Sequence, residues 1–235
     1  MNIYSRGGAE GSSEKCENLL KRMEVLAGKG NQRVSPDVRT YNLLLSAYAN
    51  EKGPADAENI LRRLGDHEHI KPNSISFVTC MDAYAKVGDA HNSLRILSMM
   101  EKAYESGNVN AKPTRRAYVS TLNSLAKSGR GDAGTRAEAL VQKMEKLAHA
   151  GNADLLPDTT VYNVLINCHK NSASRAEKVL YRMGKRSIDR DVVSYSSVIK
   201  VYSTVGGVQA ARRAQALLDE MQNDSIEPNA QTFNR

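Results

Sequence analysis

The stretch Ser35-Pro36-Asp37-Val38-Arg39-Thr40-Tyr41-Asn42-Leu43-Leu44-Leu45-Ser46-Ala47-Tyr48 constrains the whole chain, because the chain writes it again and again. Asp37 carries the short oxygen-bearing side chain that caps a helix by accepting from its orphan N–H groups. Pro36 cannot continue a preceding helix, so the pair marks a stop followed by a start. Tyr41, Leu44, Leu45 and Tyr48 then follow at i, i+3, i+4 and i+7, which is one buried helix face. Lys71-Pro72-Asn73 leads into Phe77, Cys80, Met81 and Tyr84 in the same register. Lys112-Pro113-Thr114 leads into Tyr118, Thr121, Leu122 and Leu125, and Leu156-Pro157-Asp158 into Tyr162, Leu165, Ile166 and His169. Arg190-Asp191, without the proline, leads into Tyr195, Val198, Ile199 and Tyr202, and Glu227-Pro228-Asn229 leads into Phe233.

A second pattern follows each of these helices: a small residue, then apolar residues, then Met or Leu. Its copies start at Cys16, Ala57, Ser93, Ala137, Ala176 and Ala214. The small residue lets two helices approach closely and the aliphatic residues fill the groove between them, so the Met and Leu stripe is core. Lys52-Gly53-Pro54, Val87-Gly88-Asp89, Ser128-Gly129-Arg130-Gly131 and Val205-Gly206-Gly207 separate the two helices. Glycine suits the left-handed residue that ends a helix. In the fourth copy Asn171 and Ser172 are expected to turn the chain without glycine.

These observations predict an all-α chain, an α-solenoid of stacked antiparallel helix pairs, in which each pair buries its face against its neighbours. The expected units are an incomplete one at 1–37, complete ones at 38–73, 74–114, 115–158, 159–191 and 192–229, and the start of another at 230–235. Tyr4 precedes Cys16 by the twelve residues that separate Tyr202 from Ala214, so the chain is expected to begin near the end of a first helix, as a fragment of a longer protein does. Any targeting segment would then lie outside it.

Composition narrows the function. Aromatic residues are 5% of the chain and tryptophan is absent, which argues against one large core. Cys16, Cys80 and Cys168 lie far apart, so neither a disulfide framework nor a zinc site is supported. No apolar run approaches membrane-spanning length and no secretory signal is present. The chain contains no His-Glu-x-x-His, phosphate-binding glycine loop or nucleophile elbow, so no catalytic residue, metal ligand or cofactor is expected. A net charge of +7 permits a polyanionic partner without demanding one. The pairs Arg62-Arg63 and Arg212-Arg213 read as solvated faces, and His169 as a packed core residue.

The phrase Pro157-Asp158-Thr159-Thr160-Val161-Tyr162-Asn163-Val164-Leu165-Ile166, with the small residue, aliphatics and Met of the second helix, resembles the pentatricopeptide repeat over nearly the whole chain. The resemblance implies a modular binder of single-stranded RNA in a mitochondrion or plastid, acting in RNA processing, stability or translation. It also implies no enzyme activity, a monomer, no membrane partner, and action alongside other RNA-processing proteins. One-base-per-repeat reading is a known property of such repeats. In that family the readers are the residue after the aromatic and the last residue of the repeat. Carried over, the pairs are Asn42 with Asn73, Val78 with Thr114, Val119 with Asp158, Asn163 with Asp191 and Ser196 with Asn229; Asn234 opens the next. The resemblance assigns a pyrimidine to the first pair, uracil to the fourth and adenine to the fifth, while Val78 and Val119 have nothing to donate or accept. The family's stacking position falls on Arg39, Ile75, Arg116, Thr160 and Val193, and a phosphate-contacting position on Lys86 and Lys127. Each last residue is also the helix N-cap, which by itself selects Asp, Asn or Thr. A helical scaffold for proteins and the RNA-binding portion of a larger RNA-processing enzyme are the alternative readings.

Overall fold

The computed structural model describes residues 10–233; Tyr4 and Asn234 lie outside them. Those residues form helices joined by turns, with short 3-10 segments at Gln32–Val34, Val109–Ala111 and Ala153–Leu155 and no strand among them. In chain order the helices are α1 (Ser12–Gly28), α2 (Val38–Glu51), α3 (Pro54–Gly65), α4 (Ser74–Val87), α5 (Ala90–Glu105) and α6 (Arg115–Ser128). They continue as α7 (Ala133–His149), α8 (Thr159–Cys168), α9 (Ala173–Lys185), α10 (Val192–Val205), α11 (Val208–Asn223) and α12 (Ala230–Phe233). The chain divides between Ser124 and Leu125 into two compact units.

In the first unit each helix from α1 to α5 packs on the next, and the first helices α2 and α4 also pack directly on each other. Leu20, Leu44, Leu45, Leu61, Leu64, Met81, Ile96 and Met100 are buried, as the two spacing patterns require. The second unit repeats the arrangement: α7 to α11 pack in succession and α8 touches α10. Leu165, Ile166, Val179, Met183, Val198 and Leu217 fill its core.

The residues expected to start the first helices do so by the same bond. Asp37 accepts from the Thr40 N–H at 2.8 Å, Asn73 from Ser76 at 3.1 Å, Asp158 from Val161 at 3.0 Å and Asp191 from Ser194 at 2.8 Å. Thr114 and Asn229 cap α6 and α12 through Ala117 and Thr232. Gly88 closes α4 in the left-handed region at φ 72°, where a side chain would be strained. The fourth copy departs from expectation. Among the described non-glycine residues only Ser187 and Ser225 have positive φ, so Asn171 does not supply a left-handed turn. Instead α8 stops early, at 10 residues against 14 in α10, and the chain turns through His169 to Ser172.

Two sets of polar contacts join consecutive pairs. The buried Tyr118 and Tyr162 donate from their hydroxyls to Glu101 at 2.8 Å and Glu145 at 3.1 Å, each seventeen residues earlier in the preceding second helix. In the second set, a glutamate beside the small residue of one second helix meets a side chain of the next first helix and an arginine of the next second helix. Glu58 takes Tyr84 and Arg95, both at 2.6 Å. Glu138 takes His169 at 3.2 Å and Arg182 at 2.7 Å, and Glu177 takes Tyr202 and Arg213. Glu17 takes Arg63 at 2.7 Å. Arg63 and Arg213 are therefore not solvated faces: they are anchored between helix pairs. The sequence hid this because the arginines stand one before, two after or six after the small residue, positions that share one helix face without sharing a register.

Burial alone would raise the Glu138 carboxyl, but hydrogen bonds from His169 and Arg182 outweigh it and bring the group from 4.5 down to about 2. Its contribution to stability is thus fully present above pH 4.5 and is lost as the pH falls toward 2. Thermal midpoints of the protein and of Glu138→Gln, measured between neutral pH and pH 2, will converge across that window. A gap that stays constant would rule out this contribution.

Candidate nucleic-acid interface

The N-terminal turn of each first helix is where capping fixes the backbone, and the expected readers sit there. In the first unit Asn42 donates from Nδ2 to Asn73 Oδ1 at 3.2 Å. In the second unit Asn163 donates to both Asp191 oxygens, at 3.0 and 3.3 Å. Two of the five expected pairs are thus in direct hydrogen bonding. A third, Ser196 with Asn229, is joined through Thr232, whose hydroxyl lies 3.0 Å from Ser196 and 3.3 Å from Asn229.

The orientation of these amides follows from chemistry. A carboxylate only accepts, so the amide face turned to Asp191 is Nδ2. Asn73 Oδ1 accepts the Ser76 N–H, so it too can only receive from Asn42. Burial acts to raise the Asp191 carboxyl, but bonds from Ser194 and Asn163 outweigh it and hold the group below its ordinary value, so it remains ionised. Asn163 is 8% exposed and Ser196 is 5% exposed, which leaves each reader a thin polar edge rather than a free side chain.

Val78 and Thr114 share a cleft of about 470 Å³ with Ile75, Thr79, Asp82 and Arg116. It is an apolar floor with no paired amide. Val119 belongs to α6 in the first unit, and Asp158 caps α8 in the second. Of the expected stacking residues, Ile75 is 62% and Val193 49% exposed, and Arg39 and Thr160 are also exposed. Arg116 is not a free guanidinium: it pairs with Asp82 at 2.9 Å, and Asp82 also accepts from Ser120. An exposed pair of this kind is worth only about 0–1 kcal/mol, so it yields readily to a better anion. Lys86 is exposed and donates to Asn50 at 2.8 Å, and Lys127 is exposed on α6.

Sequence reasoning missed Asp82 and the hydroxyls of Ser76 and Ser194, which donate to Asn42 and Asn163. The signal was available as a Ser or Thr three places after the last residue of a unit. A larger cavity, about 1060 Å³, opens elsewhere in the first unit against Leu61, Ile70, Met99 and Val109, and none of the expected readers lines it.

Antiparallel helix pairs stacked in series, with hydrogen-bonded polar pairs at Asn42–Asn73 and Asn163–Asp191, define a helical-repeat protein. The pentatricopeptide repeat domain matches residues 25–86, 147–205 and 178–235, and the PPR repeat matches 75–104. The chain belongs to the pentatricopeptide repeat family. It is 27% identical, over 95% of its length and 48% of the relative's, to an Arabidopsis thaliana pentatricopeptide repeat-containing protein named as mitochondrial. It is 26% identical to one named as chloroplastic, over 81% of this chain and 23% of that one. Small ribosomal subunit protein mL103 of the same plant is 24% identical over 95% of this chain and 50% of its own length. The chain spans half or less of the length of each of these relatives. The crystal structure of the maize repeat protein PPR10 superposes with a TM-score of 0.65 at 20% identity, covering 99% of this chain and 30% of that one. PPR10 solved with an 18-nucleotide psaJ RNA element gives 0.64 at 18% identity, covering 99% of this chain and 35% of that one. The fold is therefore that of the family's α-solenoids.

Proposed function

We propose that this chain binds single-stranded RNA through the N-terminal turns of its first helices, about one nucleotide per helix pair. The Asn163–Asp191 pair carries the reading: its hydrogen bond fixes an amide and leaves one donor and one acceptor at the edge for a base. Asn42–Asn73 offers the same edge in the first unit, and the Ser196–Asn229 pair a smaller hydroxyl one. Uracil at Asn163–Asp191 followed by adenine at Ser196–Asn229, with a pyrimidine at Asn42–Asn73, is the preference we assign. Exposed Ile75 and Val193 supply apolar surfaces for stacking, and Lys86 and Lys127 positive charge for phosphate. The mode of action is occupancy, which protects or remodels an RNA without chemistry. Relatives named for mitochondria and chloroplasts support an organellar role in RNA processing, stability or translation.

Selection from a random single-stranded RNA pool, with binding repeated across salt concentrations, tests this. Enrichment of a uracil-adenine step is expected, and Asn163→Val should lower affinity for the selected RNA about tenfold, the loss of a well-placed polar contact to a base. Binding that falls steeply with salt but enriches no sequence would leave a phosphate binder alone. Absence of binding at low salt would overturn the reading in favour of a protein scaffold.

A further inference from the structure

The geometry points to the hydroxyl at the third helical position of the following copy as a third determinant of base choice, a positioning residue for the reader amide: Ser194 for Asn163 and Ser76 for Asn42. This rests on the RNA reading above. Ser194 Oγ lies 2.6 Å from Asn163 Oδ1, and Ser76 Oγ lies 2.6 Å from Asn42 Oδ1. Both serines are fully buried, so water does not compete for these bonds.

A hydroxyl has one proton and two lone pairs. In each copy one lone pair accepts the backbone N–H of the capping residue, Asp191 at 3.2 Å or Asn73 at 3.1 Å. That contact is the capping box, and it needs no proton from the serine. The proton is left to be placed, and the shortest acceptor is the reader amide of the preceding copy. The capping oxygen lies farther off, at 2.8 Å in one copy and 3.1 Å in the other, and it already receives the Ser194 or Ser76 N–H. The reader amide is therefore held at both ends: Nδ2 against the capping residue and Oδ1 against the hydroxyl. The torsion that turns an amide about its own axis is broad, so with Nδ2 alone held the amide can still tilt and carry its oxygen out of line with the base. Uracil and cytosine present donor and acceptor in opposite order, so an amide that tilts distinguishes them less sharply.

The chain itself supplies a comparison. Where the reader is polar, at Asn42, Asn163 and Ser196, the following copy carries Ser76, Ser194 and Thr232. Where the reader is Val78 or Val119, the same position is Ala117 or Val161. Capping alone gives no reason for this match, because Thr114 and Asp158 cap their helices without a hydroxyl there.

The test uses the whole chain with Ser194→Ala, Ser194→Thr and, as a capping-box control, Thr40→Ala. Side-chain amide signals of Asn163 in nitrogen-15 NMR report the hold without RNA. Affinity for oligonucleotides with uracil or cytosine at the position read by Asn163 reports base choice. Ser194→Ala should shift the Asn163 signals toward those of a free amide and reduce uracil-over-cytosine preference about fivefold to tenfold, the worth of one hydrogen bond. Ser194→Thr and Thr40→Ala should leave both unchanged. Unchanged signals in Ser194→Ala, or an equal loss of preference in Thr40→Ala, would overturn the inference. Absence of base preference in the unmutated protein would overturn the RNA reading and with it the role in base choice, while the amide signals still report whether Ser194 positions Asn163.

Discussion

Glu58→Ala will destabilise the first unit by about 2–3 kcal/mol, because it strips a buried acceptor from two donors at once. Glu58 is 6% exposed and receives the Tyr84 hydroxyl and the Arg95 guanidinium, each at 2.6 Å. The two donors do not suffer equally. Arg95 has a 42% exposed side chain and can turn to water, whereas Tyr84 is 4% exposed and cannot. The loss should therefore fall by about half when Tyr84→Phe is added, since the orphaned hydroxyl is the larger part of it. Repeat proteins transmit stability between neighbours, so hydrogen exchange should quicken first in α3, α4 and α5. A single-mutant loss within experimental error of zero would show that the contact is incidental.

Gly134→Ala will lower the stability of the second unit by about 1–3 kcal/mol, although alanine is the better helix former by about 1 kcal/mol. A Cβ on Gly134 would lie 2.4 Å from His169 Nδ1 and 2.5 Å from its Cε1. The ring cannot swing away freely, since it is 5% exposed and its other nitrogen contacts Glu138 at 3.2 Å. Adding His169→Ala should remove the collision and let the helix-forming gain of alanine show. Thermal midpoints of the two single variants and the double variant decide it. A destabilised Gly134→Ala that His169→Ala fails to relieve would place the cost elsewhere.

Most of the fold was legible because its cause is periodic. Asp37, Asn73, Asp158 and Asp191 announce helix starts, and the aromatic that follows each by four places fixes the buried face. What the sequence concealed has no fixed spacing. Arg63 and Arg213 looked alike as solvated pairs, yet each reaches a carboxylate about forty residues away across a helix pair, at Glu17 and Glu177. The short α8 was hidden for a different reason: Asn171 invites a left-handed turn, but it does not adopt one, and the helix ends at Cys168. At the candidate interface the paired residues were legible as Asn163 with Asp191. The hydroxyl beside them was not, since capping already explained a serine at that place.

The contacts made by Asn42 and Asn163 also bear on how such a chain can be cut and rejoined. Each amide is completed by the last residue of its own copy and a hydroxyl of the next, Asn73 with Ser76 and Asp191 with Ser194. A copy lifted out at the linker before each first helix takes its own amide away half-finished and carries off a hydroxyl that serves its predecessor. The join that keeps each amide with its partners therefore falls between the hydroxyl and the next reader, between Ser76 and Val78 or between Ser194 and Ser196, whereas a splice in the turn at Gly53 parts Asn42 from both Asn73 and Ser76.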